Sequence, residues 1–365
     1  MGTFTTASPH PVRPMDQTKT RKAFASAKQV AELAGVSRSA VSRTFTPGAS
    51  VSEETRRRVI QASEKLGYHV NHLARGLLRK STGIVCLVVA DSDTPYMSRM
   101  VRTLARHLQE AGKVAMVIDT TGPSENVEHA LRQTLNYRAD ATVVLSGTPA
   151  QSIIRTCLDN GQRLILINRD DRLAGPYNLS LDNRLAGKTA FETFIKAGCK
   201  RLAVVASEAG TPSLMAREEA FIEAARASGM EVTSTRNGRT SYEAGVAGAR
   251  ALFAGRGAGH GGAGREPPDA AFCVTDLIAC GFMDTARHEY GLSVPDDVSV
   301  IGFDDIEQAS WLSYRLTSFS PPVEELAAAV VDLATISETA GEQAPASRVL
   351  EASLAWRDTV RGKKG

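Results

Sequence analysis

Residues 26–68 read SAKQVAELAGVSRSAVSRTFTPGASVSEETRRRVIQASEKLGY. The pattern predicts three short helices. The first covers about Lys28–Ala34. Gly35 follows, a residue that tolerates the backbone of a tight turn, and Val36 points inward. Ser37 stands where a helix N-cap belongs, its hydroxyl able to satisfy a free backbone N–H. The second helix, about Arg38–Phe45, carries Val41 as its buried knob and displays Arg38, Ser39, Ser42 and Arg43. Pro47-Gly48 breaks the chain. Ser52 caps a third helix, with Glu53 and Glu54 at its positive end. Val59, Ile60 and Leu66 form its apolar face.

This is the layout of a helix-turn-helix, whose second helix enters the DNA major groove with its N-terminal side chains toward base edges. Arg pairs with guanine there, and Ser serves either base type. Any small three-helix bundle shares the pattern, and charge separates the two readings. Residues 19–80 hold thirteen Lys or Arg against four Asp or Glu, a net of +9, whereas the whole chain is +3. The remainder is therefore −6. A basic head on a mildly acidic body is the electrostatic footprint of a nucleic-acid binder.

At 365 residues the chain has room for a small head and a two-lobed body. No apolar run approaches the length of a membrane span. The N-terminus lacks a signal-peptide core, since Pro9, Pro11 and Pro14 interrupt a polar stretch. Residues 1–25 are expected to be a disordered tail or an over-long start. A basic arm reaching DNA through Lys19, Arg21 and Lys22 is the alternative. Cys86, Cys157, Cys199, Cys273 and Cys280 are scattered, without metal-ligand spacing to a second Cys or His. They are expected to be reduced core thiols in a cytoplasm, with no metal and no cofactor.

From residue 83 the pattern alternates. Apolar runs fall at 84–89, 114–118, 142–145, 164–167, 202–206, 270–274 and 298–303, with helical stretches at 98–110, 125–137, 185–196, 214–227, 242–253 and 277–289. Short apolar runs between helices predict parallel sheets covered on both faces. So many units exceed one compact sheet, so two lobes are expected, the second beginning near Asp182-Asn183. The Gly-rich stretch 255–268, GRGAGHGGAGREPP, follows a helix and ends in Pro267-Pro268. A phosphate cradle needs a strand before it and a helix directly after, so a surface loop is expected here.

Ligands of open α/β sheets collect at the C-terminal ends of strands. The residues there are polar: Asp91 to Thr94 with Pro95, Tyr96 and Met97; Asn168, Arg169 and Asp170; Thr275-Asp276; and Asp304-Asp305. Ser213 and Arg217 open a helix after another strand. Such a mixture suits a polyhydroxylated ligand, because Arg donates in a fork and Asp accepts from pairs of hydroxyls. Each has a plainer alternative: Asp91 and Asp304 as strand-end caps, Arg217 as a surface charge, Tyr96 and Met97 as core.

AELAGVSRSAVSRTF, followed by VSEETRRRVIQASEKLGY, resembles the DNA-binding head of the LacI/GalR (lac-repressor) family, and the resemblance continues through nearly the whole chain from about residue 26. It implies an all-α helix-turn-helix head at 26–70 and a hinge helix at 71–80. It also implies an α/β body like the periplasmic binding proteins, of two doubly wound parallel-sheet lobes. The N-lobe is expected at 81–183 with about 318–340, and the C-lobe at 184–317 with about 341–365. Two hinges would pair in the minor groove, each inserting a Leu between base steps. That residue is Leu77, with Asn71 and Arg75 toward backbone or groove. Val70 stands where the family usually has Pro, and Gly76 costs a helix about 1 kcal/mol relative to Ala. A hinge that orders only on operator is therefore expected.

By the same resemblance Arg217 is the effector-clamping Arg and Asp304 its carboxylate partner. Asn168, Ser213, Tyr96 and Thr275 fall where the pocket is often lined. Two departures stand out. Thr240 occupies the place of a ring-stacking Phe or Trp, with Tyr242 nearby, and Thr275 replaces the usual Asn. The implied function is a repressor of transcription whose grip on a pseudo-palindromic operator is set by a sugar or sugar acid between the lobes. Operator symmetry requires a two-fold protein, a homodimer through the first lobe. A transport-type sugar binder would explain the body but not the basic head. An enzyme is not expected: the chain has no P-loop, no Gly-x-Ser-x-Gly elbow and no His-Glu-x-x-His.

Overall fold

The computed structural model describes residues 24–46, 48–70, 81–120, 126–147, 149–168, 175–254, 266–336 and 347–362. The chain divides into two compact units, up to Leu78 and from Arg79 onward.

The first unit is three helices: α1 (Ala27–Ala34), α2 (Arg38–Thr44) and α3 (Glu53–Leu66). Each begins on a serine cap. Ser26 forms a capping box with Gln29, Ser37 accepts from Ala40 N, and Ser52 accepts from Thr55 N. Gly35 and Gly67 end α1 and α3 at φ of +62° and +61°, a conformation that costs other residues strain. Val30, Ala31, Ala34, Val41, Val59 and Ala62 fill the core, with Leu66 packed against it. Ile60 departs from the expectation: it is 40% exposed, and Ala62 takes its place. Residues 59, 62 and 66 keep one stripe on a helix turning 100° per residue, and 60 lies off it.

The second unit holds two six-stranded sheets. The first contains β1 (Ile84–Val89), β2 (Val114–Asp119), β3 (Ala141–Val144), β4 (Arg163–Ile167), β5 (Tyr177–Leu181) and β11 (Ser347–Leu350), in the order β11-β5-β4-β3-β1-β2. The second contains β6 (Leu202–Ala206), β7 (Val232–Arg236), β8 (Ala270–Cys273), β9 (Ser299–Phe303), β10 (Thr317–Ser320) and β12 (Ser353–Ala355), in the order β12-β10-β9-β8-β6-β7. The described pairings are parallel except β10 with β12. β1, β6, β8 and β9 are buried along their whole lengths, as strands covered on both faces must be.

Helices α4 (Pro95–Glu110), α5 (Val127–Asn136) and α6 (Gln151–Asp159) serve the first sheet. Helices α7 (Asn183–Lys196), α8 (Pro212–Ala227), α9 (Tyr242–Phe253) and α10 (Asp276–His288) serve the second. Helix α11 (Val323–Thr335) returns to pack on α4 and β4. The chain passes from one sheet to the other three times: after β5, after β10, and between β11 and β12. Two expected assignments are thereby corrected. Residues 318–320 belong to the second sheet, and 347–350 to the first. Neither exchange shows in the apolar pattern, because β10 and β11 are four-residue strands, TSFS and SRVL, in which Ser, Thr and Arg interrupt the apolar run.

Five strands lie outside the expected apolar runs: β5, β7, β10, β11 and β12, of which β5 and β7 read YNLSL and VTSTR. The expected tail at 1–25 falls almost entirely outside the described residues. So do hinge residues Asn71, Arg75 and Leu77, most of the Gly-rich stretch, and Arg169 and Asp170. All five cysteines are buried and free of disulfides. Among the described residues no helix is long and apolar enough to cross a membrane.

Candidate functional site

On α2, Ala40, Val41 and Thr44 are buried, while Arg38, Ser39, Ser42 and Arg43 are exposed. The four sequence-predicted reading residues therefore share an accessible surface. Ser39 Oγ lies 2.8 Å from Ser37 Oγ, so it shares its hydroxyl with the helix cap. Two other arginines of this unit are committed to structure. Arg56 Nη1 donates to Thr44 O at 3.1 Å, and Arg58 Nη2 to Gly35 O at 3.2 Å. They close the C-terminal ends of α2 and α1, where carbonyls lack helical partners.

In the second unit a cavity of about 200 Å3 lies where the two sheets present their strand ends to each other. Strand order turns back between β1 and β3 in one sheet and between β6 and β8 in the other, and such switch points open crevices. Ala90 and Asp91 after β1, Ser146 after β3 and Asn168 after β4 line it from one side, with Tyr96 of α4. Ser213 and Arg217 of α8, Thr240, Thr275 after β8 and Asp304 after β9 line it from the other. Asp91, Asn168 and Asp304 have φ of +52°, +56° and +113°. Asn and Asp tolerate this region better than other side chains, and such backbone clusters at ligand sites. Asn168 Oδ1 accepts from Leu181 N at 3.1 Å, which fixes its amide.

Arg217 is 4% exposed. Its Nε donates to Asn183 Oδ1 at 2.9 Å and its Nη1 to Val274 O at 2.8 Å. Burial lowers its affinity for a proton, and Asp304 opposes that. Asp304 is 8% exposed. Burial pushes its carboxyl up to about 7, with Arg217 and Arg99 pulling it back. The two charges act on each other while both line the cavity. The Tyr96 hydroxyl and Thr275 Oγ1 are buried without a partner. A crevice holding a cation, a carboxyl near neutrality and two unsatisfied hydroxyls is built to take hydrogen bonds from a hydroxylated guest.

Residues 26–71 match the bacterial regulatory proteins, lacI family, and residues 191–360 match the periplasmic binding protein-like domain. The chain is 29% identical to the HTH-type transcriptional regulator AscG of Escherichia coli (strain K12), over 91% of this chain and 97% of that one. It is 28% identical to the HTH-type transcriptional regulator GalR of the same strain, over 85% and 88% of the two chains. The chain carries a lacI-family helix-turn-helix domain followed by a periplasmic binding protein-like domain, and its homologues are LacI/GalR-family regulators.

The fold agrees. The crystal structure of the lac repressor dimer bound to operator and the anti-inducer ONPF superposes with a TM-score of 0.81. It is 21% identical, over 93% of this chain and 100% of that one. A transcriptional regulator CelR–cellobiose complex gives 0.63 at 26% identity, over 92% and 99%.

The six residues expected around an effector, Tyr96, Asn168, Ser213, Arg217, Thr275 and Asp304, all line this same cavity. Arg217 is no surface charge. Tyr96 and Met97 line the cavity and also pack on the core. Asp276 turns away instead: it is fully buried and accepts from Ile306 N at 2.9 Å and Ser318 Oγ at 2.6 Å. A Cβ on Gly302 would fall 2.1 Å from Asp276 Oδ1, so only glycine fits there. Tyr242 does not replace the missing ring, since its hydroxyl is spent on Asp284 at 2.9 Å away from the lining. Asn183, Phe303 and Arg99 were not foreseen. They act on Arg217 and Asp304 from outside the lining, and no pattern in the sequence marks such contacts.

Proposed function

We propose that this protein is a sequence-specific repressor of transcription whose hold on operator DNA is set by a small hydroxylated effector, a sugar or sugar derivative, bound in the crevice. One observation carries the reading: the chain joins an exposed Arg38/Ser39/Ser42/Arg43 face to a crevice holding the buried Arg217 and Asp304. The first suits base edges in the major groove. The second suits pairs of hydroxyls, with Arg217 donating and Asp304 accepting. Asn71, Arg75 and Leu77 are assigned to the minor groove. The protein acts on DNA in the cytoplasm and turns over neither partner.

A symmetric operator implies two copies of the chain. β2 is an edge strand whose Val114 and Val117 are 62% and 46% exposed. An uncovered apolar edge of this kind invites pairing with a second copy through the first lobe. Trp311 and Leu312, 48% and 93% exposed, offer a second apolar surface.

The test begins with selection of a binding site from random duplex DNA, followed by anisotropy titrations at several salt concentrations. A palindromic site and steeply salt-dependent affinity are expected. A thermal-shift screen of sugars and sugar acids then identifies the effector, which must change operator affinity. Salt-insensitive or sequence-indifferent binding overturns the DNA role, and hits that leave operator affinity unchanged overturn the control.

A further inference from the structure

We propose that Arg99 is a positioning residue, a strap from the first lobe that holds the Asp304-Asp305 strand end of the second and thereby aims the Asp304 carboxylate into the crevice. From α4, Arg99 Nη2 donates to Asp304 O at 2.6 Å and Nη1 to Asp305 O at 2.8 Å. Both acceptors are main-chain carbonyls, on consecutive residues with φ of +113° and +47°. That backbone is strained, and strained backbone persists only where its surroundings hold it.

The second lobe supplies its own restraints. Ser318 Oγ accepts from Asp305 N at 3.1 Å, Asp276 accepts from Ile306 N at 2.9 Å, and Arg357 Nη2 meets Asp305 Oδ1 at 2.6 Å. Asp304 N donates to Phe319 O at 2.9 Å. With its amide and carbonyl both taken, the Asp304 main chain cannot rotate, and its side chain is left facing Arg217. Arg99 is the part of this clamp that comes from across the crevice. Its planar fork matches two adjacent carbonyls, which a lysine's point charge does not. Opening the lobes would part both donors from their acceptors. An ion pair across the crevice, Arg239 with Asp91 at 3.8 Å, joins side chains 75% and 50% exposed and holds far less. The role given to Asp304 rests on the effector reading above, whereas the strap stands on this geometry alone.

Two full-length variants test it without knowledge of the effector. The groups facing Asp304 are Tyr96 and Arg99 from α4, Arg217 from α8 and Asp276 from α10. Carbon-13 NMR of aspartate-labelled protein, with D304N to assign the resonance, follows its titration. R99Q removes a cation and should raise that titration by about half a pH unit or more, while R99K should leave it in place. Hydrogen exchange at residues 304–306 should quicken roughly ten-fold in R99Q and by an intermediate amount in R99K, with β8 unchanged. A folded R99Q with wild-type titration and wild-type exchange overturns the proposal. If R99Q does not fold, R99K decides: intermediate exchange supports the strap, wild-type exchange refutes it. An empty sugar screen would leave both readouts intact, so failure of the effector reading is separately visible.

Discussion

The guanidinium of Arg217 lies over the ring of Phe303, its central carbon 3.3 Å from the ring centroid. Phe303 is the last residue of β9, and the next residue is Asp304. One strand end therefore supplies both the platform under the cation and the carboxylate facing it. A desolvated cation–π contact contributes about 2 kcal/mol, which offsets part of the burial penalty of Arg217 alongside its hydrogen bonds to Asn183 and Val274 O.

Arg217→Met should abolish effector response while sparing DNA binding. The variant keeps the volume but leaves Asn183 Oδ1 and Val274 O without their donor. A stability loss of about 2–3 kcal/mol is expected, with operator affinity changed less than about two-fold. Denaturant melts and anisotropy check both. Loss of operator binding in a folded variant would show the role is misplaced.

Stability should carry the signature of Asp304. Burial raises its carboxyl from the ordinary 3.8 to about 7 in the folded protein. Stability relative to an ordinary carboxylate is therefore full below the unfolded value and is lost as pH rises through the folded one. Each unit is worth about 1.4 kcal/mol, so up to about 4 kcal/mol disappears between roughly pH 4 and pH 7. Asp304→Asn should lack this slope and should gain on wild type as pH climbs toward 8. Urea midpoints of the two proteins from pH 5 to 8 give the answer, and parallel curves would exclude a raised carboxyl. The sign reverses for a guest that donates hydroxyls to Asp304: ionisation prepares the acceptor, so its affinity should rise with pH across neutrality.

Arg38 and Arg56 should separate reading from folding. Arg38→Ala should cost about 1–3 kcal/mol at one operator position, with discrimination there relaxed and the melting curve unchanged. Arg56→Ala removes the donor to Thr44 O and should loosen α2 without changing which bases are preferred. Titrations of both against matched and single-mismatch duplexes would reveal a reversal.

Tyr96→Phe should act in opposite directions with and without effector. The buried hydroxyl lacks a partner, which costs about 1–3 kcal/mol. Its removal should leave the free protein as stable or more so, yet shrink the thermal shift given by the hit from the sugar screen. An equal shift in both proteins would mean the hydroxyl never meets the guest.

Much of this was legible in the chain because the signals are local. Ser37, Ser52, Gly35 and Gly67 mark helix ends through their own chemistry, and runs such as IVCLVV and LAVVA are short and Val-rich enough to favour strands buried on both faces. The six crevice residues were reachable because strand ends and ligand sites coincide in this architecture. What stayed hidden depends on partners distant along the chain. β5 and β7 are polar because their neighbours, not their composition, make them strands. Arg99 looks like any cation on an amphipathic helix until residues 304 and 305, more than two hundred positions on, are brought beneath it. Ile60 was misplaced for a smaller reason, a single step around a helix.

The three passages of the chain between the sheets set how the halves of the body come apart. Neither half is a continuous segment, so neither can be expressed by truncation, and a single proteolytic nick at any one passage leaves both halves still joined by the other two. Three adjacent connections also restrict free swivelling, so relative movement is confined to a narrow bending or twisting about the bundle they form.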